Sequence, residues 1–254
     1  MPFSPEAIAA RASRRAARPR TAAGTTTPVP IASKARRPGP VPSGGADARP
    51  ADVATRDLVF AAAADQFSRH GFDGVGVDDI AKAAGVNKAM IYYHHASKLA
   101  LYRAVVREML QAFGAAVAAV AAGDDTPPRK IERFIETLAS MRETRPWFPP
   151  LMMREMAAGA PRLDVETLGH MKTVMGAFTA ILDQGVQARV FRKVHPVMAY
   201  MTIMGPLLMN AVRERAAAEP GRAHLPLFTS IDRRDLVAHM QLTALRMLAK
   251  DPSR

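Results

Sequence analysis

The residues whose reading decides the fold are VDDIAKAAGVNKAMIYYHHASKLAL, from Val77 to Leu101. Asp78 and Asp79 fall in the first turn of a helix predicted over residues 77 to 84, where carboxylates favour the helix dipole. Gly85 permits a tight turn, and Asn87 is a good N-cap for a second helix running to about His94. Two short helices joined by a glycine-containing turn are a helix-turn-helix. On the second helix Lys88, Ala89, Tyr92 and Tyr93 share an outward face, while Ile91 points the other way, toward the preceding helices. Phenols and an ammonium group suit phosphate contacts, and the methyl groups of Ala89 or Met90 suit thymine methyls in a major groove. Asn87 to Tyr93 is therefore a candidate DNA-facing segment.

Working outward, residues 52 to 70 read as a helix with Val59, Ala63 and Phe67 at i, i+4 and i+8 and Gly71 as its stop. Downstream, a helix from about Ser97 to Ala122 is ended by GDDTPP. Thr126 is placed to cap the next, with Pro127 at its first position, and that helix continues to about Thr144. RPWFPP reads as a rigid break. A short Met-rich helix over 151–158 follows, then long ones over 164–188, over 195–218 with an interruption at Pro206, and over 232–250. The last carries Leu236, Val237, Met240, Ala244, Met247 and Leu248 along one apolar stripe. The fold class is all-α, about nine helices, with a three-helix helix-turn-helix domain over 51–98 and a larger helical domain over 99–254.

Residues 56 to 101 resemble the DNA-binding domain of tetracycline-repressor (TetR) family regulators. Arg56, Val59, Ala63, Phe67, Gly71 and Phe72 match that family's first helix and its exit. Asp79, Ile80, Ala81, Ala84, Gly85 and Val86 match its scaffold, and Ile91, Tyr92, Tyr93, His94, Ser97, Lys98 and Leu101 match its closing signature. The resemblance implies that Tyr93, His94 and Lys98 hold phosphates, Lys98 from the start of the fourth helix. Three positions depart from the pattern. Gly76 stands where a capping Thr or Ser is usual, His95 replaces a Phe that plugs the small core, and Gln66 replaces a Leu.

The same resemblance implies that the larger domain binds a ligand and dimerises. Candidates for a cavity are Trp147, Phe148, Met152, Met156, Met171, Met175, Phe178 and Met204, with His170 and Tyr200 as polar anchors. Such a lining suits a small lipophilic effector. The last two helices have broad apolar faces that two subunits can pair as a four-helix bundle, giving a homodimer suited to a palindromic operator in double-stranded DNA. The implied function is a ligand-responsive transcriptional repressor acting in the cytoplasm. The competing reading is a small-molecule binding or carrier protein whose degenerate helix-turn-helix no longer reads DNA.

Composition narrows the field from the other side. The 254 residues include no Cys, which removes disulfides, thiol nucleophiles and Cys-type zinc sites. Adjacent His94 and His95 point to different helix faces, so no metal and no cofactor is expected. No Ser/His/Asp order, HExxH pattern or Gly-rich phosphate loop is present, which argues against an enzyme. No run approaches roughly 18 consecutive apolar residues, so no membrane partner is expected. The net charge of +12 is unevenly placed. Residues 1–50 carry +7 and nine of the twenty prolines, and read as a disordered basic Pro/Ala/Arg-rich tail. Residues 51–98 carry −1, so the DNA-binding expectation rests on particular side chains rather than on bulk charge.

Overall fold

The structure, a computed structural model, describes residues 50–222 and 225–250. The tail expected to be disordered lies outside these residues, save for Pro50. Among the described residues there are nine α-helices: α1 Pro50–His70, α2 Val77–Ala84, α3 Lys88–His94, α4 Lys98–Ala122, α5 Pro127–Thr144, α6 Phe148–Ala157, α7 Val165–Gln187, α8 Pro196–Ala217 and α9 Arg233–Leu248. A single 3-10 turn, Pro226–Phe228, joins the last two, and the only β pairing among the described residues is an isolated antiparallel bridge between Phe191 and Ala249.

Local chemistry explains most of these boundaries. Gly85 ends α2 in the left-handed conformation (φ 66°), with its own N–H donating to Lys82 O and that of Val86 to Ala81 O. This αL closure is nearly free for glycine and strained for other residues. The Asn87, Ser97, Asp164 and Asp232 side chains cap α3, α4, α7 and α9 respectively. Thr126 stands at the N-cap of α5, but its hydroxyl makes no capping bond. At the other end of α4, the buried Lys130 Nζ donates to Ala121 O (2.8 Å) and to Gln184 Oε1 (2.6 Å). Those bonds satisfy a terminal carbonyl that the helix cannot pair internally.

Two expectations are corrected. The break expected over RPWFPP is confined to residues 145–147: α6 starts already at Phe148, because Pro149 and Pro150 sit in its first turn, where a missing N–H leaves no bond unmade. Helix α8 is not interrupted at Pro206. Pro206 removes one backbone bond, but the flanking Ile203 and Leu207 are buried and hold the helix on course.

The helices enclose two hydrophobic cores. The first joins Val59, Ala63 and Phe67 of α1, Ile80 of α2 and Ile91 of α3 to Leu101, Tyr102 and Val105 of α4 and Leu151 of α6. The second gathers Phe113 and Val117 of α4, Ile131 and Phe134 of α5, Phe178 and Ile181 of α7, Ile203 of α8 and Met240, Ala244 and Leu248 of α9. Helix α4 contributes to both and pairs with α7 more extensively than any other two helices do. At 25 residues, α4 is long and apolar enough to cross a membrane by length and composition alone. Here its apolar positions are used in packing the two cores.

Candidate functional site

Helix α3 presents its outer face to solvent. Tyr92 and Tyr93 are 48% and 56% exposed, Lys88 and Ala89 are exposed, and Ile91 on the reverse side is buried. Met90 and His94 are half-buried at the edges of that face. The Tyr93 and His94 rings meet edge to face, 5.0 Å between centroids. Asn87 Oδ1 accepts the Ala89 N–H at 2.9 Å, so half of its amide is spent on starting the helix. The Lys88 ammonium is also engaged, donating to Asp78 Oδ2 of α2 at 2.7 Å. That bond pushes the lysine pKa up.

Lys98 sits differently from the phosphate-facing position that the resemblance implies. Its Nζ donates to the backbone carbonyls of Phe72 and Val75, each at 2.9 Å, and lies 4.3 Å from the Phe72 ring centroid. It therefore clamps the loop between α1 and α2 and fixes where α2 begins. Gly76, which has no side chain to cap α2, is met from the other direction: its N–H donates to Asp79 Oδ2 at 2.8 Å. The missing capping hydroxyl is thus replaced by half of a reciprocal arrangement.

His95 occupies the corner between α3 and α4, half-buried, with its Nε2 lacking a hydrogen-bond partner. Burial lowers its pKa, and the neighbouring His94 and Arg56 act in the same direction.

Behind the helix-turn-helix lies a buried polar cluster that the sequence did not reveal. Glu155 of α6 is 2% exposed. Its Oε2 accepts from Tyr102 OH at 2.7 Å, and its Oε1 accepts from the Arg162 backbone N–H at 2.9 Å. The Arg162 guanidinium lies 3.5 Å from the same carboxylate, reaches Asp73 in the α1–α2 loop, and stands 5.0 Å from the Phe72 ring. Arg103 holds Arg162 by its carbonyl at 2.7 Å, and Arg154 donates to Arg69 O at the end of α1. Burial and the Glu155 bond raise the Tyr102 pKa, so this phenol remains a donor. A second tie joins α8 to α1, from Arg215 to the Ser68 hydroxyl at 3.2 Å.

Between the two cores is a cavity of about 400 Å³. Its wall is built from α4 (Leu110, Phe113), α6 (Phe148, Met152, Met156), α7 (Met171, Val174, Met175) and α8 (Tyr200, Met201, Met204, Gly205, Leu208). Of the candidates from sequence, Phe148, Met152, Met156, Met171, Met175, Tyr200 and Met204 come together there. Three do not line it. Phe178 is fully buried in the second core, Trp147 packs edge to face on Phe60 and Phe148, and His170 lies at the surface with Gln111, 3.2 Å away. Leu110, Phe113, Val174, Met201, Gly205 and Leu208 were missed. Tyr200 is the sole residue of the wall with a polar side-chain group, and burial raises its pKa. The cavity can therefore hold an apolar molecule and offer it one phenol.

Comparison with known proteins places this geometry. The family described as bacterial regulatory proteins, tetR family, matches residues 59–105. The HTH-type transcriptional regulator RutR of Escherichia coli is 32% identical over 143 residues, covering 56% of this chain and 67% of RutR. The biofilm operon HTH-type negative transcriptional regulator IcaR of Staphylococcus aureus is 40% identical over 52 residues, 20% of this chain and 28% of IcaR. In fold, the chain is similar to the TetR family transcriptional regulator PfmR of Thermus thermophilus, with a TM-score of 0.58 at 22% identity, covering 74% of this chain and 97% of PfmR.

Two outcomes follow from the charges at this surface. Asp78→Asn releases Lys88 and removes a carboxylate beside it, so affinity for nonspecific duplex DNA should rise and its log–log salt slope should steepen by about 0.9 for each additional phosphate neutralised. Fluorescence anisotropy across a salt series reads this, and an unchanged slope would show that Lys88 does not reach phosphate. For His95, the depressed native pKa means that the unfolded chain binds the proton more readily. Its contribution to stability is therefore complete above the ordinary imidazole pKa and is lost as pH falls through that value toward the native one. The melting temperature of the full chain should drop more between pH 8 and pH 5.5 than that of His95→Phe; equal drops would contradict the assignment.

Proposed function

This chain belongs to the TetR family of bacterial regulatory proteins, and from that premise we propose that it represses transcription from a palindromic operator and releases it when a small apolar effector fills the methionine-lined cavity. The observation that carries the reading is the joint placement of two surfaces. Helix α3 exposes a tyrosine-rich face, while α6 lines the cavity with Met152 and Met156 and engages the α1–α2 loop region through the Glu155 cluster. A displacement of α6 on effector binding would therefore reach the helix-turn-helix.

In this account residues 51–98 read DNA, and residues 99–254 bind the effector and dimerise in the cytoplasm. Tyr92, Tyr93, Lys88 and His94 contact phosphates. Ala89 and Met90 meet base edges, with Asn87 at the helix start where its free amide hydrogens can donate. Lys98 acts indirectly, by holding the loop that positions α2. Helices α8 and α9 pair across a two-fold axis and set the two copies of α3 about 34 Å apart, or a multiple of that, as successive half-sites require. The effector shifts that spacing, with leverage limited to its differential affinity, about 1 to 3 kcal/mol. A neutral, apolar effector with one hydrogen-bonding group complements the wall and Tyr200.

Band-shift of the protein on DNA from upstream of its own gene, at two salt concentrations, tests this reading. A discrete, competitor-resistant complex is expected. Tyr93→Ala should weaken it at least about tenfold, since a hydrogen bond to a charged group is worth about 1.5 to 3 kcal/mol, without changing the melting temperature. Diffuse binding that salt abolishes would instead support a carrier whose helix-turn-helix no longer reads DNA.

A further inference from the structure

The helix-turn-helix brings no surplus of positive charge to a duplex. Residues 51–98 sum to −1, and four of their five basic side chains are already engaged. Arg56 stands against Asp57, Arg69 against Asp65 and Lys88 against Asp78, while Lys98 donates to the Phe72 and Val75 carbonyls. The carboxylate in each pair repels a phosphate about as strongly as its partner attracts one. Exposed pairs of this kind rearrange at little cost, but rearrangement leaves the sum unchanged. Affinity for duplex DNA comes in large part from cations that neutralise phosphates and release counterions. The folded DNA-facing domain is short of them.

The sequence places the missing charge immediately before α1. Five arginines fall in RASRRAARPR, residues 11–20, and Lys34, Arg36 and Arg37 form a second group, with thirteen uncharged residues between the two. Seven of these eight cations are Arg, whose planar guanidinium stays charged and forks onto two phosphate oxygens. The segment joins the fold at Pro50, the first residue of α1. His95 directly follows the last turn of α3, and its pKa, lowered chiefly by burial, is lowered also by the charges of His94 and Arg56. Arg56 therefore stands near the end of the DNA-facing helix, only six residues beyond Pro50, about 9 Å of helix. The 13 residues from Arg37 to Pro50 reach up to about 45 Å, and the 30 from Arg20 up to about 100 Å. One turn of duplex is about 34 Å, so both groups are tethered within reach of the DNA on either side of a half-site.

We infer that the two basic groups within residues 11–37 bind the phosphates of the duplex flanking the half-site that α3 reads, and supply the greater part of the salt-dependent affinity of this chain for DNA. The inference rests on the DNA-binding reading given above and adds a division of labour: α3 discriminates between sequences, and the arginine groups hold the duplex whatever its sequence. Tethering gives them a high effective concentration at the DNA once α3 is seated, so a few contacts suffice. An effector that moves α3 out of register then leaves the chain on nearby nonspecific DNA instead of freeing it into solution.

Arg11→Gln, Arg14→Gln, Arg15→Gln, Arg18→Gln and Arg20→Gln are combined in the full chain, and Lys34→Gln, Arg36→Gln and Arg37→Gln in a second full-length variant. Thermal melts check that each is folded. Binding to a labelled duplex from upstream of the chain's own gene, and to a mixed-sequence duplex of the same length, is followed by anisotropy between about 50 and 200 mM salt. Each phosphate contact adds about 0.9 to the log–log salt slope, so the loss of three contacts flattens it by about 2.7. Across that fourfold salt range the five-arginine variant should then lose about 40-fold less affinity than the native chain. At the lower salt it should bind both duplexes at least about tenfold more weakly, with its preference for the upstream duplex unchanged. The second variant should shift the same quantities in the same direction. A discrete complex on the upstream duplex with the native salt slope in both variants overturns the inference and leaves the DNA-binding reading intact. The same unchanged slope, with loss of binding to phosphatidylserine-containing vesicles, assigns the arginines to an anionic lipid surface and overturns it as well. A variant that loses its preference for the upstream duplex contradicts the division of labour. A native chain that forms no discrete complex on the upstream duplex removes the reading on which the inference rests.

Discussion

A carboxylate as deeply buried as that of Glu155 survives in a folded protein only when its charge and lone pairs are answered on all sides. Here Tyr102 OH and the Arg162 backbone N–H donate to it, and the Arg162 guanidinium supplies the counter-charge. Removing one partner of such a buried pair leaves an uncompensated charge and typically costs about 3 to 5 kcal/mol. The cluster draws together three stretches of chain that are distant in sequence: the α1–α2 loop at Asp73, α4 at Tyr102, and α6 with the connection that follows it, at Glu155 and Arg162. Around it, Phe67, Phe72 and Tyr102 form an aromatic group, and Phe72 has a cation near it from both Lys98 and Arg162. The loop that leads into α2 is thereby tied to α4 and to the α6–α7 connection.

Helix α6 is only ten residues long, and that shortness gives it a double role. Met152 and Met156, one turn apart, line the cavity, while Leu151 packs into the first core and Arg154 and Glu155 turn to the α1 end and the polar cluster. A rigid helix this short cannot move at one face and stay fixed at the other. The close packing of protein interiors makes such an element switch between arrangements instead of deforming gradually. The cavity wall at α6 and the α1–α2 loop are therefore mechanically continuous.

The helix-turn-helix was readable because its signals are local. Gly85 demands the αL turn, Asn87 caps the next helix, and Ile91 against Tyr92 and Tyr93 separates inside from outside within a single turn. Local signals also mark the ends of α2 and α5. What escaped were features made by pairing distant segments. Leu110, Phe113 and Val174 line the cavity because α4 and α7 run together, and nothing in the periodicity of either helix announces its neighbour. Glu155 reads in the sequence as an ordinary helical glutamate, and Arg162 as a loop arginine; only the fold brings them to Asp73 and Tyr102. Lys98 shows the opposite limit: its spacing within the motif is a local signal, but the commitment of its ammonium to the Phe72 and Val75 carbonyls is not.

Hydrogen exchange of the full chain, with and without the neutral apolar probe N-phenyl-1-naphthylamine in the cavity, measures the continuity of the cavity and the α1–α2 loop most directly, because amide protection reports local opening segment by segment. Backbone amides of residues 71–80 should change their exchange together with those of residues 148–157 when the probe binds. Probe binding that alters only the cavity-lining helices and leaves residues 71–80 unchanged would contradict that continuity.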